Sequence, residues 1–202
     1  MTAAINNKKY RDYHLWQDLK SGDGSAFDRV FRENYTPLYN YGLKVSRDEA
    51  IAEDCIQELF IRIWEKRSNL SDINTIKPYL FKSYRRTLIN HLQFQQQQDT
   101  IDNLSEANIG ISFSIEDFMI QEQTQDNLSN KLLVYLNQLP ERQKEVVFLK
   151  YYGGFNHTEI AEIMRVNKQS VANLLHRAFT ALKKITNGVG FIALKALLSA
   201  LS

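Results

Sequence analysis

The sequence predicts an all-α protein built as two small helical domains joined by an acidic linker. Three observations carry that prediction. Long stretches of the 202 residues repeat their apolar positions at steps of three and four, and strict alternation is nearly absent. Only three prolines interrupt the chain. The charge falls into blocks: residues 1–93 hold 15 Lys and Arg against 12 Asp and Glu, residues 94–128 hold seven acidic residues and no basic one, and residues 129–202 hold ten basic against four acidic. At 44% hydrophobic and 24% charged, the composition is that of an ordinary globular chain and excludes disordered or fibrous proteins. The lone cysteine, Cys55, excludes an internal disulfide framework and a multi-cysteine zinc site. No run has the length of a signal-peptide core or a membrane span, so a cytoplasmic protein is expected.

The first domain is expected over residues 10–93. After the turn cluster SGDGS, Phe27, Val30, Phe31, Tyr35, Leu38, Tyr39, Gly42 and Leu43 recur at helical spacing. In the next helix Ala52, Cys55, Ile56, Leu59, Phe60 and Ile63 form one stripe for burial, which makes Cys55 a core residue. The opposite face carries Asp54, Gln57, Glu58 and Ile61. Acids with one exposed aliphatic suit a protein partner better than DNA. RSNLSDINTI, at 67–76, reads as a polar loop, and a third helix starts near Pro78, whose missing N–H costs nothing in a first turn. There Phe81, Tyr84, Leu88 and Leu92 can face the core, while Lys82, Arg85, Arg86 and Asn90 project elsewhere. Cations interleaved with aromatics fit single-stranded nucleic acid, because cations neutralise phosphates and rings stack on unpaired bases.

Residues 94–128, with a glutamine run and scattered acids, read as the linker; fully extended they reach about 115 Å, and as a relaxed coil about 30 Å. The second domain is expected over 129–186, and within it lies a helix-turn-helix. Asn156 caps a short helix with Glu159 three residues on, and Ile160, Ala161 and Met164 form its inner side. Arg165, Val166 and Asn167 make the turn, with Arg165 where such units often place glycine. Asn167 caps the second helix, whose inner stripe is Val171, Leu174, Leu175, Ala178 and Leu182. Lys168, Gln169, Ser170, Asn173, His176 and Arg177 remain outward. These can donate to phosphates or read base edges in a major groove, and no acid occurs from Met164 onward. The apolar tail at 187–202, with Phe191, Leu194, Leu198 and Leu201 in phase, reads as a short amphipathic helix that either packs back on the protein or meets a partner or a membrane surface.

Catalysis is not expected. The four histidines, His14, His91, His157 and His176, are not spaced to share a metal, and no phosphate-binding glycine loop occurs. No catalytic residue, metal, cofactor or small-molecule substrate is therefore assigned.

As a set these residues resemble the bacterial RNA polymerase sigma factors of the extracytoplasmic-function (ECF) group, over nearly the whole chain. AEDCIQELFIRIWEKR is similar to the family's region 2.2, which implies that Asp54, Gln57, Glu58 and Ile61 meet the β′ subunit of core polymerase. IKPYLFKSYRRTLINHL is similar to regions 2.3 and 2.4, which implies minus-ten promoter contacts for Lys82, Tyr84, Arg85, Arg86 and Asn90. The loop at 69–74 corresponds to the segment that pockets a flipped base. VNKQSVANLLHRAFTALKK resembles the minus-thirty-five recognition helix, which implies DNA contacts for Lys168, Gln169, Ser170, Asn173, His176 and Arg177. The partners so implied are core polymerase, through β′ and β, promoter DNA, and an anti-sigma factor. In the family the linker threads the polymerase cleft, where an acidic strand mimics RNA. Two departures stand out: Tyr84, Arg85, Arg86 and Thr87 replace a frequent Ala–Arg pair followed by Asn, and glutamines replace the basic residues that often follow this helix. A second reading is a helix-turn-helix transcription regulator whose N-terminal helices sense a ligand or dimerise. The acidic face beside an aromatic and basic helix favours the sigma reading.

Overall fold

A computed structural model describes residues 2–99, 111–113 and 133–185. The chain divides into two compact units, 1–103 and 104–202. Among the described residues every regular element is helical, as the periodicity predicts. The tail at 187–202 lies outside the described residues, as does most of the acidic segment.

The first unit contains α1 (Thr2–Ser21), α2 (Gly24–Ser46), α3 (Glu49–Glu65), a single 3-10 turn (Arg67–Asn69) and α4 (Ile76–Asp99). One side of α1, namely Asp12, Leu15, Trp16 and Leu19, is buried. The helix stops at Gly22, which takes the left-handed φ of 96° that a side chain would resist. Asp23 then caps α2, its carboxylate accepting from the N–H groups of Ser25 at 2.7 Å and Ala26 at 3.3 Å. Asp48 does the same for α3, accepting from Ile51 at 3.1 Å. The predicted stripe of α3 is buried in full, from Ala52 to Ile63, against α2 and α4. Each such aliphatic side chain contributes about 1.5–3 kcal/mol of burial. Gly42 permits the closest approach in this core: a Cβ there would collide with the Tyr84 hydroxyl, which donates to the Ala52 carbonyl at 2.9 Å.

Helix α4 departs from expectation at its end. It runs through the glutamine run to Asp99, inside the segment read as linker. Glutamine is a good helix former and neither Gly nor Pro intervenes, so the helix propagates without an apolar period to announce it.

The second unit contains a helical stretch at 133–137, then α5 (Glu141–Tyr151), α6 (His157–Ile163) and α7 (Lys168–Ile185). α7 packs on both α5 and α6 through Val171, Leu175, Ala178 and Leu182, while Leu174 is only half-buried. The linker reading needs a second revision here. Ile111 and Phe113 are buried in this unit, and the Asn137 amide holds the Phe113 backbone from both sides, accepting from its N–H at 2.9 Å and donating to its carbonyl at 3.0 Å. The Phe113 ring lies 5.9 Å from that of Tyr152 and 6.5 Å from that of Phe148. Two apolar side chains, Ile111 and Phe113, inside an acidic segment supply a docking anchor that composition averages away.

Candidate functional site

Three surfaces carry the residues singled out by sequence. On α3, Asp54, Gln57, Glu58 and Ile61 all face solvent, back to back with the buried stripe. Ile61 is 57% exposed, a large apolar side chain standing among acids. Glu58 pairs with Arg62 one turn on, which leaves Asp54 as the acid at the N-terminal side of the patch. Cys55 lies directly beneath; burial, with the charges of Glu58 and Asp54, pushes its thiol up to about 12.

On α4 the five predicted nucleic-acid residues separate. Lys82, Arg86 and Asn90 are exposed and, at four-residue steps, share one face. Tyr84 and Arg85 are 0% and 1% exposed, so the expectation that they contact DNA is corrected. The reason lies in helical phase. Tyr84 falls on the inner stripe of Phe81 and Leu88, and Arg85 sits between Phe81 and Ile89, both buried, so the fold claims both side chains. The flanking apolar residues at three- and four-residue steps were the signal that separates an outward arginine from an inward one.

The segment between α3 and α4 leads into the first turn of α4. Asn69, Ser71, Asp72 and Asn74 are exposed, while the segment is held from behind by α1. The Trp16 indole N–H donates to the Ser71 carbonyl at 3.0 Å. Gln17 donates to Asp72 at 2.8 Å, and Lys20 pairs with the same oxygen at 2.5 Å. The buried Asp12 carboxylate accepts from the Ile76 N–H at 3.2 Å. None of these contacts is visible in local sequence, since the partners are 52 to 64 positions apart.

The third surface is on α7. The capping box of α6 is present: Asn156 accepts from the N–H groups of Thr158 at 2.9 Å and Glu159 at 3.1 Å, and Glu159 accepts from Asn156 at 2.8 Å. Arg165 adopts the left-handed region, φ 53°, and this reversal lets the Val166 N–H reach the Ala161 carbonyl at 2.9 Å. Asn167 caps α7, accepting from Ser170 at 2.7 Å. Lys168, Gln169, Asn173, His176 and Arg177 are exposed and Ser170 is half-buried. Gln169 donates to Asn173 at 3.1 Å, which pre-orients two amides on the outward face. No acid lies on α7, so the face is suited to a polyanion. Among the described residues no group of three His, Cys, Asp or Glu side chains is arranged to hold a metal ion.

Comparison with known proteins agrees with this division. The family model described as Sigma-70 region 2 matches residues 30–98, and Sigma-70, region 4 matches residues 129–182; together they span well over half of the chain. The ECF RNA polymerase sigma factor SigM of Bacillus subtilis is 26% identical over 162 residues, covering 80% of this chain and 96% of SigM. The ECF sigma factor SigL of Mycobacterium tuberculosis is 24% identical over 178 residues, covering 84% and 94%. Among solved structures, the sigma factor RpoE of Bartonella quintana, crystallised with the anti-sigma factor NepR, superposes with a TM-score of 0.57 at 18% identity, covering 80% of this chain and 96% of that one. CnrH, solved in complex with the cytosolic domain of CnrY, gives 0.59 at 14% identity, covering 88% and 98%. With region 2 and region 4 both present in order, and full-length relatives of one kind, the chain belongs to the ECF sigma factors, which bind RNA polymerase core and direct transcription initiation at specific promoters.

Proposed function

We propose that the three surfaces divide the work of initiation among named residues. The α3 face, Asp54, Gln57, Glu58 and Ile61, docks on core polymerase. Lys82, Arg86 and Asn90 on α4, with the loop at 69–74, hold the melted minus-ten strand. Lys168, Gln169, Ser170, Asn173, His176 and Arg177 on α7 enter the major groove at the minus-thirty-five element. Tyr84 and Arg85 support that surface from within the core. The observation that carries this reading is the adjacency, in one unit, of an exposed acidic patch around Ile61 and an exposed Lys82, Arg86 and Asn90 stripe on the next helix.

The domain limits proposed are 10–93, 129–186 and a tail at 187–202. The acidic segment 94–128, apart from the end of α4 and the anchored 111–113, occupies the nucleic-acid path of the polymerase, where six carboxylates mimic a phosphate backbone. Bond-making belongs to the polymerase, and the protein acts in the cytoplasm, where polymerase and promoters are. The sigma factor RpoE was crystallised with the anti-sigma factor NepR, which supports an inhibitory anti-sigma protein as a further partner.

Replacing Asp54 and Glu58 together by Lys tests the docking face. Like charges forced together at an interface cost several kcal/mol, so affinity for core polymerase should fall about 100-fold or more with helical content unchanged by circular dichroism. A double variant that binds core at wild-type strength would remove this face from the interface.

A further inference from the structure

Helix α1 lies outside the region 2 match, which begins at residue 30, yet it holds the segment between α3 and α4 at Ser71, Asp72 and Ile76. Four of its residues are engaged on one side. Asp12 and Trp16, both buried, fix the backbone at Ile76 and Ser71. Gln17, next to Trp16, and Lys20, one turn beyond Trp16, converge on a single carboxylate oxygen of Asp72. The Lys20 and Gln17 hydrogen bonds, with the lysine charge, hold the Asp72 carboxyl below its ordinary value, so the contact stays ionic through the neutral range. The two pairs differ in kind. Removing Trp16 or Asp12 would open the core, whereas the Asp72 contact is peripheral, its carboxylate 63% exposed. An exposed ion pair adds little to global stability. Its effect is local, since it fixes the middle of a loop that otherwise has no regular structure and whose neighbours, Asn69, Ser71 and Asn74, all face solvent.

We propose that Gln17 and Lys20, acting on Asp72, are positioning residues for promoter opening: they hold the 70–75 loop in the shape in which it receives an unpaired base of the minus-ten strand. This rests on the assignment of that loop to the melted strand. A pocket for one base must be held to a fraction of an ångström, and a loop free to sample other shapes meets the flipped base in the wrong one most of the time. Ordering the loop in advance removes that entropy from the opening step.

The test uses holoenzyme assembled from core polymerase and the full chain carrying Gln17→Ala with Lys20→Ala. Binding to core and the thermal midpoint should match wild type. Opening, read as permanganate reactivity of unpaired thymines on a duplex promoter, should slow about tenfold or more. The ranking of promoters substituted one base at a time in the minus-ten element should flatten, a change that lowered stability alone would not produce. Lys20→Arg, which keeps the charge, should restore both. Asp72→Asn approaches from the loop side without touching the core and should reproduce part of the loss. Wild-type opening and an unchanged base ranking in the double variant, while Asn69→Ala with Asn74→Ala in the loop impairs both, would overturn the positioning role alone. If the loop variant is also silent, the assignment of the loop to the melted strand falls with it.

Discussion

At Tyr84, Arg85 and Cys55 the same helical phase gives different results, because each residue type responds differently to being buried. Tyr84 finds an acceptor in the Ala52 carbonyl through the gap at Gly42, and Arg85 is enclosed among buried neighbours, so two side chains that read as nucleic-acid contacts serve the core instead. Cys55 was readable from its stripe alone. Its thiol, moved by burial from 9.0 to about 12, is held neutral by the fold. The raised value means that Cys55 contributes stability in full below about pH 9, and that this is lost as pH climbs toward 12. Denaturant midpoints should fall across that alkaline window, less steeply in Cys55→Ala, and iodoacetamide should label the folded protein at pH 8 far more slowly than the unfolded chain. Equal labelling rates would mean that the thiol is open to solvent. Arg165 was also legible, as a side chain where glycine is common, and its φ of 53° gives the physical reason.

Among the elements, legibility followed the range of the forces. The helix-turn-helix declares itself because Asn156, Glu159 and Asn167 cap residues two or three positions away. α1 has no clean apolar period and α4 continues through glutamines, so neither helix's full length could be read from pattern. The anchor at 111–113 was missed for a third reason: its partner Asn137 is 24 positions distant. That anchor makes a prediction of its own. Phe113→Ala should cost the second unit about 3 kcal/mol, at the lower end for a buried aromatic. Hydrogen exchange of amides in α5 and α7 should accelerate while α2 and α3 stay protected. Unchanged protection in α5 would show that the anchor is dispensable.

For the whole molecule, a net charge of +2 conceals basic, acidic and basic blocks along the chain. Their effects separate by salt. Lys168→Ala with Arg177→Ala should weaken holoenzyme binding to promoter DNA and lower the slope of log affinity against log salt by about 2, one for each phosphate contact. An unchanged slope would move those side chains off the phosphates. The separation into units also governs how the protein can be watched. The sequence has two tryptophans, Trp16 and Trp64, and both lie in the first unit. They sit at the two sides of one segment: the Trp16 indole N–H is bonded to Ser71, and the Trp64 ring lies 4.4 Å beneath the Arg67 guanidinium. Light emitted on excitation at 295 nm therefore comes from two indoles that border this segment, so the protein carries an intrinsic optical gauge of its movement and needs no added dye.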